Sequence, residues 1–137
     1  MISIAIVDTG PLVASANRAD PDYRACLQAL ESREYALILP ALCIAEATYL
    51  IGKKQGPRVE SMFLRSLESF DVQAPLSAEW ERIAELVEQY KDFPLGGTDA
   101  SVAALAERFD AELVITLDRK HFSAIQPRHR SRFRLLP

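Results

Sequence analysis

Apolar and polar positions along the chain alternate between a strand-like and a helix-like period. Ile2 to Val7 is a short run rich in Ile and Val, closed by Asp8-Thr9-Gly10-Pro11. It predicts a buried parallel strand that runs into a turn, with Asp8 at the carboxyl end of the strand. Asp20-Pro21 offers an N-cap and a first-position proline for a helix through Tyr23 to Leu30. A second strand over Ala36 to Leu39 stops at Pro40, and Ala41 to Lys54 is helical in pattern up to Gly56-Pro57. Val59, Phe63, Leu64, Leu67 and Phe70 then mark the face of another amphipathic helix. Asp71 to Ala74 is a weak strand. Ser77 is expected to cap a helix through Lys91, in which Trp80, Ile83, Ala84, Val87 and Tyr90 recur at helical spacing and read as core. The loop Asp92 to Gly97 breaks the pattern, and Thr98 is the expected N-cap of a helix over Asp99 to Phe109. Leu113 to Leu117 reads as a strand ending at Asp118, and Arg132 to Leu136 as a last strand. Strands alternating with helices call for a three-layer α/β domain, a mostly parallel central sheet with helices on both faces, whose site lies beyond the carboxyl ends of the strands. No linker divides the sequence, so residues 1–137 are expected to form a single domain.

Composition narrows the class. With 137 residues, 49% apolar and 26% charged, the chain can bury a core, and its scattered Pro and Gly argue against disorder and repeats. The longest apolar stretch, Ala41 to Ile51, is interrupted by Glu46 and falls short of the roughly 18 residues a bilayer span needs. No basic leader precedes the first strand, so a cytoplasmic location with no membrane partner is expected. Cys26 and Cys43 sit among apolar neighbours, away from any Cys/His metal pattern, and read as buried free thiols. Net charge is −3, unevenly spread: residues 1–118 hold ten basic against nineteen acidic residues, whereas 119–137 hold six basic and no acidic ones. An acidic body with a basic tail can bring a polyanion up to carboxylates.

The chemistry lies in the acids. Asp8 follows the first strand, Asp118 follows the late strand, and Asp99 falls in the first turn of the helix after Gly96-Gly97. Each alone reads first as a cap or a turn former, but all three would face one crevice. Glu46 is the only charge between Ala41 and Ile51, with Leu42 and Leu50 on its own helical face. A carboxylate buried there must be paired, protonated or bound to a cation. No basic residue neighbours Asp8, Glu46 or Asp99, and clustered oxygens suit a hard divalent ion, Mg²⁺ with Mn²⁺ as substitute. Zinc is disfavoured, because His121 and His129 lie in the tail with no thiolate to join them.

Ile-Val-Asp8-Thr9, Glu46 on the second long helix, Gly-Gly-Thr-Asp99-Ala-Ser and Thr-Leu-Asp118-Arg-Lys-His-Phe resemble, in order, the acidic motifs of PIN-domain nucleases, most of all VapC-type toxins. The motifs span residues 6 to 122, and Phe133 to Leu136 is similar to the family's final strand. The resemblance implies an Mg²⁺-dependent endoribonuclease with Asp8 and Asp99 as direct metal ligands. Glu46 and Asp118 would complete a catalytic acidic pocket, and Thr9 or Ser101 would orient water or ligands. It further implies an RNA substrate, a small cognate antitoxin of the VapB kind in the crevice, and a homodimer. Since an acidic pocket repels RNA, Arg119, Lys120, Arg128, Arg130, Arg132 and Arg134 are the phosphate-contact candidates, against a plain solvated basic strand. A haloacid-dehalogenase-like phosphatase would need a second Asp where Gly10 stands, and a receiver domain an acidic pair at the first strand. The rival from another class is a non-catalytic RNA- or partner-binding module that keeps the acids for a structural ion.

Overall fold

A computed structural model describes residues 2–137. β1 (Ser3–Val7), β2 (Tyr35–Pro40), β3 (Asp71–Gln73), β4 (Leu113–Ile115) and β5 (Arg134–Leu136) form one sheet in the order β3-β2-β1-β4-β5, parallel throughout. Between them run α1 (Thr9–Ser15), α2 (Tyr23–Glu31), α3 (Ala41–Gln55), α4 (Pro57–Ser66) with a 3₁₀ turn after it, α5 (Glu79–Gln89), α6 (Gly97–Arg108) and α7 (Arg119–Ala124). The expected three-layer α/β architecture is therefore the one found, with the sheet entirely rather than mostly parallel.

Ala5, Ile6 and Val7 of β1 and Val114 and Ile115 of β4 are fully buried, which is why both strands read as unbroken apolar runs. α6 is buried almost all round, Ala100 through Ala106 included, and its many alanines let it lie close against β1, β2, α3 and α5. Phe122 from α7 and Phe133 before β5 meet edge to face at 6.3 Å and close the far end of the core.

Most departures from expectation sit at helix starts, and α7 is a helix that the sequence reading did not expect. Residues 9–11, read as a turn, open α1 directly: Pro11 lies in the first helical turn, where its missing N–H would have had no partner in any case. Asp20 does not cap α2, which starts at Tyr23; its Oδ1 accepts the Asp22 N–H at 2.8 Å instead, closing a turn one step earlier. Ser77 does not cap α5, because the Glu79 carboxylate reaches back to the Leu76 N–H at 2.7 Å. Gly96, not Thr98, stands at the N-cap of α6. Along α5 the stripe assigned to the core splits. Ile83 is buried, while Trp80 is 50% exposed, Val87 37% and Ala84 exposed; Leu86, outside the expected stripe, is the second buried residue of the helix. The α3–α4 reversal turns on Gly56, whose φ of +87° lies in the region that favours glycine.

Candidate active site

In this sheet the chain leaves β1 toward β2 on one side and returns to β4 on the other, so a crevice opens beyond the carboxyl ends of these two neighbours. A cleft of about 700 Å³ lies there. Asp8, Glu46, Asp99 and Asp118 all line it, joined by Asp20 on the lip, and no Lys or Arg is among its lining residues.

Asp8 occupies the N-cap position of α1 yet makes no capping bond, so its carboxylate is released toward the cleft. Only 5% of the residue is exposed. Thr116 Oγ1 donates to Asp8 Oδ2 at 2.8 Å, and the Cys43 thiol points at Oδ1 from 3.9 Å. Burial pushes the Asp8 carboxyl above its ordinary range. The Thr116 hydroxyl and the Thr9 backbone N–H pull it back, and the charges of Asp118 and Glu46 push it up again. The Thr116 hydroxyl also accepts the Asp118 N–H at 2.9 Å, which ties the ends of β1 and β4 together through one side chain. Burial and the Asp8 charge raise the Cys43 thiol well above the usual range, so it stays a protonated donor beneath the site.

Asp99, in the first turn of α6, is pushed up to about 6, by burial first, then by Asp8 and Asp118, with His121 opposing and Glu46 adding. Asp118 does act as a cap: Oδ1 accepts the His121 N–H at 3.0 Å, while Oδ2 lies 2.6 Å from His121 Nδ1. Glu46 corrects an expectation. It is exposed on the cleft wall, with Leu50 beside it, rather than buried in the core, so the desolvation argument for its role falls away and its position facing the other acids replaces it. Thr9 lines the cleft with a buried hydroxyl that has no hydrogen-bond partner. Ser101 is fully buried and donates to the Thr98 carbonyl at 2.6 Å, within α6 and outside the cleft lining.

Ligand atoms of Asp99, Asp118 and His121 lie within 4.8 Å of one another. Four carboxylates around a cleft with no Lys or Arg in its lining, a buried unpartnered hydroxyl at Thr9, and an Asp99 lifted to about 6 by burial and then by its acidic neighbours fit a hard divalent cation held by oxygen donors.

The basic residues go elsewhere. Arg128 pairs with Glu85 at 3.0 Å and gives its backbone N–H to Glu107 at 2.8 Å, and Arg130 faces Asp110 at 3.8 Å; neither reaches the cleft. Arg119 bonds the Pro137 carbonyl and lines, with Arg132 and Arg134, a separate hollow near β5. Lys120 Nζ sits 5.6 Å over the Phe93 ring. Thr116 and His121 also stand at this site; the sequence reading quoted both within Thr-Leu-Asp118-Arg-Lys-His-Phe and weighed His121 only as a zinc ligand, giving neither a role. Signals for both were present: Thr116 precedes Asp118 by one strand repeat, and His121 follows it by one helical turn.

The PIN domain model matches residues 5–126. The chain is 34% identical over 134 residues to Ribonuclease VapC26 of Mycobacterium tuberculosis, covering 96% of this chain and 99% of that one. Its fold is similar to that of a Klebsiella pneumoniae toxin-antitoxin complex, with TM-score 0.68, 25% identity and coverage of 88% of this chain and 92% of the other. It is also similar to Mycobacterium tuberculosis VapC20, described as a sarcin-ricin loop cleaving toxin, with TM-score 0.73, 16% identity and coverage of 80% and 86%.

Proposed function

The chain belongs to the PIN-domain family, and from that premise we propose that it is a divalent-metal-dependent endoribonuclease acting as the toxin of a toxin–antitoxin pair. The observation that carries the reading is the convergence of Asp8, Asp99, Asp118 and Glu46, from four separate elements, on one cleft without a basic residue in its lining. Asp8 and Asp99 hold the cation, Mg²⁺ or Mn²⁺. Asp118 and Glu46, lining the same cleft, would complete its acidic shell. When bound, the cation supplies Lewis-acid activation of water and neutralises charge on the scissile phosphodiester.

The chain's own residues do the positioning. Thr116 fixes the rotamer of Asp8 and the backbone at Asp118 together, so the two carboxylates keep one separation. The Thr9 hydroxyl, buried and unspent, is available to a water or phosphate oxygen at the cleft floor. Arg119 and Lys120, exposed on the helix that starts at Asp118, are the phosphate contacts nearest the site. Arg128 and Arg130, engaged with Glu85 and Asp110, hold the tail in place. The partner protein is an antitoxin that covers the cleft, as the similarity to a toxin-antitoxin complex supports. Among the described residues no helix is long and apolar enough to cross a membrane.

The test is incubation of the purified protein with total cellular RNA and Mn²⁺, followed by mapping of new 5′ ends. Discrete metal-dependent cuts bearing 5′-phosphates, lost in Asp99→Asn, are expected. RNA binding without cleavage would instead identify a non-catalytic module.

A further inference from the structure

The His121 ring lies between two oxygens from separate elements, one of them the Asp118 carboxylate that lines the cleft and the other a backbone carbonyl in the loop before α6. Nδ1 is 2.6 Å from Asp118 Oδ2, on the wall built by the end of β4 and the start of α7. Nε2 is 3.1 Å from the carbonyl oxygen of Phe93, in the loop that leads from α5 into α6 and so to Asp99. The Phe93 ring meets the imidazole edge to face, with centroids 5.0 Å apart and planes at 73°. The backbone N–H of the same histidine holds the other Asp118 oxygen at 3.0 Å. One residue therefore grips both oxygens of Asp118 and braces it against the loop that leads into α6, the helix that carries Asp99.

The trio Asp99, Asp118 and His121 is compact enough to suggest that the histidine is itself a metal ligand. The ring argues otherwise. A ligating imidazole must present one nitrogen's lone pair, and here both nitrogens are turned to protein oxygens at hydrogen-bond distance. Thr116, the partner that steadies Asp8, contributes a hydroxyl in the same supporting manner from the end of β4.

The geometry points to His121 as a positioning residue of the metal site. It sets the orientation of the Asp118 carboxylate and the spacing between Asp118 and Asp99, without touching the ion. This rests on the metal reading of the cleft given above. Partners that orient a metal-binding group from outside typically account for ten- to a hundredfold in metal affinity. His121→Ala should lose about that much Mn²⁺ affinity. His121→Asn, whose amide N–H can stand near the Nδ1 position and reach Asp118, should recover most of it. His121→Gln, which reaches toward Phe93 instead, should not.

The experiment is calorimetric titration of the chelator-treated full chain and the three variants with Mn²⁺ alone, together with pulsed electron paramagnetic resonance of Mn²⁺ bound to the wild type. A weakened His121→Ala, rescue by Asn but not by Gln, and a wild-type spectrum without directly coordinated imidazole nitrogen would bear the inference out. A nitrogen coupling typical of coordinated imidazole, equal affinity in His121→Ala and wild type, or equal rescue by Gln would each overturn it while leaving the metal reading intact. Wild type that takes up no Mn²⁺ would overturn both. The spectrum needs no variant, so the inference stays falsifiable even if His121→Ala does not fold.

Discussion

Asp99 carries the most informative perturbation in the molecule. Its folded-state pKa of about 6 lies above the ordinary 3.8, so the folded chain holds this proton where the unfolded chain has lost it. For this group, then, apo stability is fully present below about 4 and is lost as pH rises from there through about 6. Removing the acid should matter only where it is charged: Asp99→Asn is expected to raise the melting temperature of chelated protein at pH 7.5 and to change it little near pH 4. A variant equally stabilised at both pH values would show that the charge of Asp99, opposed by burial and by its acidic neighbours, is not the cause. The same proton competes with a cation, so wild-type Mn²⁺ affinity should fall by up to about tenfold per unit below pH 6. Thr116 offers a second check. Thr116→Val leaves Asp8 Oδ2 and the Asp118 N–H without their partner at nearly unchanged volume, and should cost about 1–3 kcal/mol in a denaturant melt, with Thr116→Ser close to wild type. These two residues also show what a sequence can disclose about a site. Asp99 and Asp118 were legible because strand ends and helix starts in a parallel α/β fold converge in one place. Thr116 and His121 were not singled out, because a hydroxyl in a strand and a histidine in a basic tail look ordinary until the rotamers of their neighbours are known.

Elements were easier to foresee than the contacts that lock them. β1, β2 and β4 were marked by apolar runs, and α3 by its end at Gly56-Pro57, since both signals are local, whereas β3 is Asp-Val-Gln and read only as a weak strand. α1 was missed because Asp-Thr-Gly-Pro is turn chemistry by composition; packing of Leu12 and Ala14 into the core decides for helix. Trp80 was misplaced because helical period identifies a face but not how far round the helix burial extends. The joint between α5, α6 and the tail could not be read at all, being long-range. Arg82 grips Glu107 with two bonds, at 2.9 and 2.8 Å, and Glu107 also accepts the Arg128 N–H. Burial pushes the Glu107 carboxyl up, but the Arg82 fork, the Arg128 N–H and their charges outweigh it and leave it below the ordinary 4.5. The sign is opposite to that of Asp99: this contribution is present above about pH 4.5 and lost as pH falls below it. Glu107→Ala leaves Arg82, its side chain only 13% exposed, with the longer 3.5 Å pairing to Glu85 alone, and should destabilise the fold by about 1–3 kcal/mol in urea at pH 7, with little effect on Mn²⁺ affinity. A Glu107→Ala protein as stable as wild type would reduce the joint to a surface ion pair.

At the scale of the whole molecule, folding gathers acids from positions 8, 46, 99 and 118 into a single cleft that the unfolded chain cannot reproduce. Burying them and crowding them together is a cost to the apo fold, and the upward shifts at Asp8 and Asp99, caused first by burial and then by neighbouring carboxylates, are its local record. A cation that binds only the folded state must therefore stabilise it by mass action, by about 2.7 kcal/mol at a hundredfold excess over the dissociation constant. For a chain of 137 residues that corresponds to a rise of roughly 10 °C in melting temperature. Mn²⁺ should act at least as strongly as Mg²⁺, whereas Ca²⁺, which tolerates looser oxygen geometry, should stabilise the fold while supporting little cleavage. Substituting Asp8 and Asp99 together by Asn removes two ligand charges with almost no change in volume, so the double variant should start at a higher apo melting temperature and gain nothing from metal. Melts of chelator-treated wild type and double variant across a Mn²⁺ titration separate the possibilities. A shift confined to the wild type locates the ion among the acids that converge beyond β1 and β4. Equal shifts in both proteins would put it elsewhere and leave the crowded carboxylates without the cation that accounts for them.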